Sequence, residues 1–147
     1  MNSKKIENNL DLFQTKLTNN LQIPLMNTGI SAGFPSPADD YIEKNIDLNQ
    51  ELIRNPSSTF LGRVKGLSMQ GAGIDSNDIL VIDKSLPVAN GKIAVCYLNG
   101  EFTLKRIKIT NQTIYLMPEN PDYQPIQVQP ENEFLIWGIV TYIIKKV

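Results

Sequence analysis

The chain has 147 residues, of which 41% are apolar, and a formal net charge of −1 from 14 basic and 15 acidic residues. This length suggests one domain with a core of ordinary size, and the balanced charge gives no broad basic surface for nucleic acid. The sequence has no histidine, which excludes every Ser-His-Asp mechanism and every metal site with histidine ligands. We expect no metal, no cofactor and no sequence-specific contact with nucleic acid.

Cysteine content and hydropathy indicate in which cellular compartment the protein is located. Cys96 is the only cysteine, so no intramolecular disulfide can form and nothing argues for an oxidising environment. It lies within the apolar run 93–98 and is predicted to be a packed core residue. No apolar stretch reaches signal-peptide length at the N-terminus, and none reaches the roughly 18 residues of a membrane span. The sequence therefore predicts a cytoplasmic protein without a membrane contact.

The first 37 residues are predicted to be an N-terminal arm. Apolar residues recur at roughly helical spacing in residues 1–23, namely Leu10, Phe13, Leu17 and Leu21, which favours a short amphipathic helix. Prolines and glycines in residues 24–37 predict an extended, irregular linker. An ordinary disordered tail is the alternative for this linker.

Two helix starts are predicted, one at the end of the arm and one beyond it. Ser36 can cap a helix with Pro37 at its first position, and Asp39 and Asp40 favour a helix N-terminus. Asp47, with Gln50 three residues later, predicts a second short helix through Ile53.

The remainder of the chain is predicted to be mainly β. Runs rich in Val, Ile, Tyr and Phe alternate with turn residues, and Asn99-Gly100 is the best short hairpin signal. Seven strands are predicted, at Phe60–Lys65, Ile79–Asp83, Lys92–Leu98, Phe102–Ile109, Thr113–Met117, Pro125–Val128 and Phe134–Lys145. This spacing suggests a compact, strongly bent β-fold.

Ser68 and Lys105 are the residues that could carry chemistry. A serine nucleophile needs a base, and a lysine desolvated by burial can lose its proton and serve as one. Strict alternation from the Asn99-Gly100 turn would instead leave Lys105 exposed and paired with an acid. Gly66 and Gly71 allow close backbone approach around Ser68. An ordinary turn serine is the alternative.

Three separated motifs make the pair specific. The chain resembles the LexA-like self-cleaving proteins, and most closely the UmuD family of SOS mutagenesis proteins, from about Gly33 to Val147. The motifs are AGFPSPADDYIE at 32–43 followed by IDLNQ at 46–50, then GLSM at 66–69 with GI at 73–74 and DILVID at 78–83, and finally NGEFTLK at 99–105. Leu67 departs from the closest relatives, which carry an aspartate there, and this puts the local surface in doubt.

The resemblance implies a role for each matching residue. Ser68 would be the nucleophile, Lys105 the general base, and Ala32-Gly33 the bond that the protein cuts in itself. The backbone amides of Ser68 and Met69 would be the oxyanion donors. The implied organisation is an arm and cleavage-site linker at 1–37, flexible by expectation, and a LexA-like peptidase domain with a short helix at 38–147.

The implied function is that of a regulated autoprotease. Cutting would be stimulated by a RecA-like filament on single-stranded DNA acting as co-protease. The product would act as a homodimer with an error-prone, UmuC-type Y-family polymerase in translesion synthesis. A LexA- or phage-repressor-like regulator is the nearest rival, although the 32 residues before the cut are too few for a helix-turn-helix domain. A type I signal peptidase lacks its anchor here, and a non-catalytic binding module of the same fold is the third class.

Overall fold

The computed structural model describes residues 10–14, 21–26, 30–35 and 43–147. Residues 10–14 and 55–147 belong to one compact unit, whereas residues 21–26, 30–35 and 43–54 belong to a second, smaller unit. The domain boundary predicted between residues 37 and 38 lies outside the described residues. In the part of the chain that is described, no helix has the length and apolar character needed to span a membrane.

Strands dominate the described residues, and the mainly β character of the chain is as predicted. In chain order the strands are β1 (Leu10–Gln14), β2 (Gln22–Met26), β3 (Glu43–Asp47), β4 (Thr59–Val64), β5 (Ile79–Asp83), β6 (Ile93–Leu98), β7 (Glu101–Thr110), β8 (Thr113–Met117), β9 (Ile126–Gln127) and β10 (Phe134–Ile144). The single α-helix among the described residues is α1 (Leu48–Leu52), and 3-10 turns occupy Pro56–Ser58 and Gln70–Ala72.

The larger unit is a strongly curled, antiparallel sheet of eight strands in the order β1-β4-β5-β10-β6-β7-β8-β9. Its last seven strands in chain order are the seven predicted from the sequence, so the mainly β, bent fold is confirmed. The strand β6 separates two parts of the core, because Val95 packs in one apolar cluster while Ala94 and Cys96 pack in the other. Cys96 is buried, as predicted.

The β6–β7 hairpin fixes the position of Lys105. Asn99 and Gly100 form its two-residue turn with φ values of 48° and 90°, the left-handed conformation that this turn type requires at both positions. Leu98 pairs with Glu101 across the turn, and the same register places Lys105 opposite Ala94. The hairpin predicted from the sequence is confirmed.

The smaller unit holds a second, two-stranded sheet and the helix. Strands β2 and β3 pair antiparallel over five residues, with Pro24 opposite Asn45. The irregular linker was therefore a wrong prediction over residues 24–26, where a two-stranded sheet tolerates a proline because each strand has a free edge. Helix α1 agrees with the prediction, because the Asp47 carboxylate accepts a hydrogen bond from the Asn49 amide at 3.0 Å. The predicted helix start at Ser36 and Pro37 lies outside the described residues.

Strand β1 replaces the predicted amphipathic helix over residues 10–14. The segment Leu-Asp-Leu-Phe-Gln fits both periods, since its leucines are two positions apart and Phe13 is three from Leu10. Pairing with the open edge of β4 satisfies the backbone and buries Leu10 in the core, and these tertiary contacts decide in favour of the strand. Leu17 lies outside the described residues.

Candidate active site

Ser68 lies in the connection between β4 and β5, immediately before the 3-10 turn at Gln70–Ala72. Its side chain is largely buried, with 9% of the residue exposed. The next residue, Met69, is 2% exposed and packs in the core cluster that also contains Leu104 of β7. Met69 therefore anchors the connection at residues 65–78, which we call the serine loop, in the same core cluster as the strand that carries Lys105.

Three hydrogen bonds hold the serine loop against residues 119–120. The Glu119 amide donates to the Ser68 carbonyl at 2.7 Å, and the Gly71 amide donates to the Glu119 carbonyl at 2.6 Å. The Asn120 side-chain amide donates to the Leu67 carbonyl at 2.8 Å. Because Glu119 also forms an ion pair with Arg106, the same segment is tied to β7 directly beside Lys105.

Sequence reasoning missed this contribution of residues 119–120. In the sequence, Glu119-Asn120-Pro121-Asp122 has the composition of a turn between two predicted strands and carries no sign of a contact with Ser68. The contact between residues 119 and 68 cannot be predicted from sequence periodicity, because it depends on the curvature of the folded sheet. The one available signal was Gly71, at which an added Cβ would stand 2.5 Å from the Glu119 carbonyl oxygen.

Lys105 is 6% exposed, and its Nζ atom has three oxygen neighbours. These are Ser68 Oγ at 3.3 Å, Thr103 Oγ1 at 2.7 Å and the Leu104 carbonyl oxygen at 3.2 Å. Strict alternation would have left Lys105 in solvent, but the serine loop covers it. Among the described residues, no carboxylate forms an ion pair with this amine.

Burial lowers the pKa of Lys105 from its ordinary value, because desolvation penalises the ammonium form. Only a charged Cys96 thiolate would oppose this effect. Burial raises the pKa of Cys96 to about 12, so the thiol is uncharged over the range in which the lysine titrates. The environment therefore favours a neutral amine at position 105.

The three oxygen atoms around Lys105 Nζ can all form hydrogen bonds with a neutral amine. A carbonyl oxygen can only accept, so the Leu104 carbonyl takes one N–H of Lys105, and the Thr103 hydroxyl can accept the other. The lone pair of the amine then remains for the Ser68 hydroxyl. In this arrangement Ser68 donates its proton toward Lys105, which is the geometry that a serine nucleophile and its base require.

The backbone amides near Ser68 were predicted to be oxyanion donors. Within residues 10–14, 21–26, 30–35 and 43–147, the amides of Ser68 and Met69 donate to no protein acceptor. Their neighbours differ, since the Gln70 and Gly71 amides bond to Leu67 and Glu119. Two adjacent amides are thus available beside the hydroxyl.

Ala32 and Gly33 lie in the smaller unit, within the exposed segment 30–35, which contains no helix or strand. A Cβ built on Gly33 would meet nothing within 4 Å. The structure thus brings Ser68 and Lys105 together and leaves the predicted cleavage bond in an accessible segment. Over the ranges described, no three His, Cys, Asp or Glu side chains gather in a way that could hold a metal ion.

The chain is similar to known proteins over most of its length. The chain is 38% identical to Protein MucA of Salmonella typhimurium over 135 residues, which cover 90% of this chain and 92% of MucA. It is 43% identical to Protein SamA of Salmonella typhimurium strain LT2 over 84% of this chain and 85% of SamA.

A longer relative is a repressor. The chain is 37% identical to the LexA repressor of Delftia acidovorans over 85% of this chain but only 55% of the repressor. These similarities confirm the resemblance to the LexA-like and UmuD families that the three motifs indicated. The peptidase S24-like family matches residues 24–141. The chain therefore belongs to the peptidase S24-like family.

Proposed function

We propose that this protein is a self-cleaving serine endopeptidase that cuts its own chain between Ala32 and Gly33. The observation that carries the proposal is the buried contact of 3.3 Å between Lys105 Nζ and Ser68 Oγ. Membership of the peptidase S24-like family and the exposure of segment 30–35 support it. The small side chains of Ala32 and Gly33 would let the backbone enter a narrow cleft.

The reaction begins when neutral Lys105 accepts the proton of Ser68. Ser68 Oγ then bonds to the carbonyl carbon of Ala32, and the resulting oxyanion accepts hydrogen bonds from the amides of Ser68 and Met69. The C–N bond to Gly33 breaks as Lys105 returns the proton to the leaving amine. Water, deprotonated by the same lysine, hydrolyses the ester between Ser68 and Ala32 and restores the enzyme.

The rate is limited by two requirements. Lys105 must be neutral, and segment 30–35 must dock as an extended strand beside Ser68. Because bond and nucleophile belong to one protein, proximity supplies much of the rate once docking occurs. We propose that a RecA-like filament on single-stranded DNA acts as the co-protease by favouring the docked state.

The proposed role of the product follows from the resemblance. Residues 33–147 would act as a homodimeric subunit of an error-prone, UmuC-type Y-family polymerase. The high coverage of MucA and SamA supports a chain organised like those two proteins.

A LexA-like self-cleaving regulator is the second candidate. The identity of 37% to a LexA repressor favours it, whereas the chain spans only 55% of that repressor. The chemistry would be the same, so only a DNA-binding assay separates the two roles. A non-catalytic module of the same fold would not need a buried lysine beside a serine, because burying an amine costs free energy without a function in return.

Mass spectrometry of the purified full chain tests the cleavage. Incubation at about pH 10 should yield a fragment that begins at Gly33, because the lowered pKa of Lys105 makes it more neutral at this pH than an ordinary lysine. Ser68→Ala is the matched control and should yield none. A new N-terminus at Gly33 in the Ser68→Ala chain, or none in the unchanged chain with and without an activated filament, would contradict the proposal.

A further inference from the structure

Strand β1 occupies an edge of the main sheet that would otherwise be open. Its five residues pair in antiparallel register with Phe60 to Val64 of β4, so that Leu10 lies opposite Val64 and Leu12 opposite Gly62. Strand β4 is internal only because β1 covers it, since its other neighbour is β5. The backbone groups on this side of β4 would be unpaired without β1.

The side chains of β1 fit this edge selectively. Leu10 is 6% exposed and packs in the core, and Leu12 packs against the same cluster. A Cβ built on Gly62 would stand 2.7 Å from Leu10 Cδ1, so the glycine leaves the room that this leucine fills. Phe13 is 59% exposed and contributes little to the fit.

Charge adds to the fit on the solvent side. Asp11, between the two leucines, forms an ion pair with Lys65 at 3.2 Å. The edge thus accepts an extended segment with two leucines separated by one acidic residue. We define this surface, formed by β4 with Gly62 and Lys65, as the β4 edge.

We propose that the β4 edge is a strand-binding site that β1 occupies in the uncut chain and that an extended Leu-acidic-Leu segment of a partner occupies after the cut. Main-chain hydrogen bonds would supply affinity, and the space over Gly62 would select leucine. The timing rests on the proposed function, because β1 precedes Ala32 and the cut removes its covalent link to β4.

The cut changes the effective concentration of β1 and not its contacts. A covalently linked strand competes at an effective concentration of about the millimolar range, and this advantage disappears when the link is broken. A segment of five residues then competes on equal terms with any partner that carries the same pattern. After the cut, a partner segment can therefore replace β1 on the β4 edge.

Peptide binding to the full chain tests the site without requiring self-cleavage. The probe is a fluorescent peptide with the sequence of residues 8–16, and the protein carries Ser68→Ala so that it stays intact. Leu10→Asp in the protein should weaken β1 and allow the probe to bind at least about tenfold more tightly than to the Ser68→Ala chain. Phe13→Asp is the matched control, and it should not increase binding because Phe13 is exposed.

Changes in the probe provide a test that does not depend on the folding of a protein variant. A probe with its own Leu10→Asp change should not bind, whereas a probe with Phe13→Ala should bind like the unchanged probe. Equal binding of the unchanged and Leu10→Asp probes, or no binding by any protein chain, would overturn the strand site. Leu10→Ala in the protein repeats the test should Leu10→Asp fail to fold.

The self-cut protein distinguishes the two proposals. If the site exists and the cut opens it, protein processed at Gly33 should bind the probe more tightly than the intact Ser68→Ala chain. Probe binding to the Leu10→Asp chain, together with no self-cleavage in a chain that keeps Ser68, would refute the proposed function and leave the strand site standing. Self-cleavage without a gain in probe binding would refute the opening of the site by the cut.

Discussion

Lys105 Nζ lies 3.3 Å from Ser68 Oγ, although 37 positions separate the two residues in the chain. The lysine stands on a central strand and the serine on a loop that covers it. The loop is held by Met69 in the core and by residues 119–120, so the contact does not depend on the flexible lysine stem alone. The core and residues 119–120 thus both fix the position of Ser68. A catalytic site needs such fixed positions to keep its reactive groups in the correct geometry.

The first prediction concerns the two reactive groups. Ser68→Ala and Lys105→Met should each abolish self-cleavage, and the double variant should be no slower than either single one, because the groups act as a unit. Densitometry of the cut product over time at alkaline pH measures this. Cleavage near the unchanged rate in either single variant would refute the pair.

Thr103 should affect the rate of self-cleavage because its hydroxyl orients the amine of Lys105. Thr103→Val removes the oxygen that lies 2.7 Å from Nζ, and loss of one hydrogen bond of about 1 kcal/mol should slow cleavage roughly five- to tenfold. Thr103→Ser keeps the hydroxyl and should cleave at nearly the unchanged rate. If Thr103→Val and Thr103→Ser are equally fast, the hydroxyl does not orient the amine.

Gly71 should control the position of Ser68. In Gly71→Ala the new Cβ would stand 2.5 Å from the Glu119 carbonyl oxygen, so the serine loop or residue 119 must shift. A displacement of about 1 Å at a reacting group can cost up to 100-fold in rate. We expect slower cleavage in this variant, while the exposed Ser76→Ala on the same connection serves as the control. Unchanged cleavage in Gly71→Ala would show that the contact with residue 119 is not needed.

Gly33→Val tests the predicted cleavage bond. A Cβ at position 33 meets nothing within 4 Å, so the substitution should leave thermal unfolding unchanged. Cleavage should nevertheless stop, because a β-branched residue cannot follow the scissile carbonyl into a narrow cleft. Mass spectrometry would identify any product, and cutting at the same bond in Gly33→Val would contradict the narrow cleft.

The sequence predicts the elements that depend on local pattern. The strands from β4 onward carry dense Val and Ile runs between turn residues, and the turn at Asn99-Gly100 sets the register of β7. Helix α1 follows from the capping Asp47. In each of these cases the local propensity and the tertiary structure agree.

The strands β1 and β2 could not be predicted in the same way. Leu10 fits either a helix or a strand, and only the open edge of β4 decides between them. The burial of Lys105 has the same origin, because the loop that covers it comes from 37 positions away. Alternation describes one strand and cannot include a loop that folds over it. The sequence motifs indicated that Ser68 and Lys105 act together. The hydrogen bonds from Glu119 and Asn120 to the serine loop could be identified only in the folded sheet.

The central claim is that neutral Lys105 takes the proton of Ser68, and the pH dependence of the self-cleavage rate tests it most directly. Burial lowers the pKa of Lys105, so the active neutral form increases as pH rises through that lowered value. The rate of the full chain, measured from about pH 6 to about pH 11, should rise as pH passes through the lowered pKa of Lys105 and level off above it. An activated filament should raise the rate at neutral pH. A rate that is flat across this range, or that falls as pH rises, would contradict the role of Lys105.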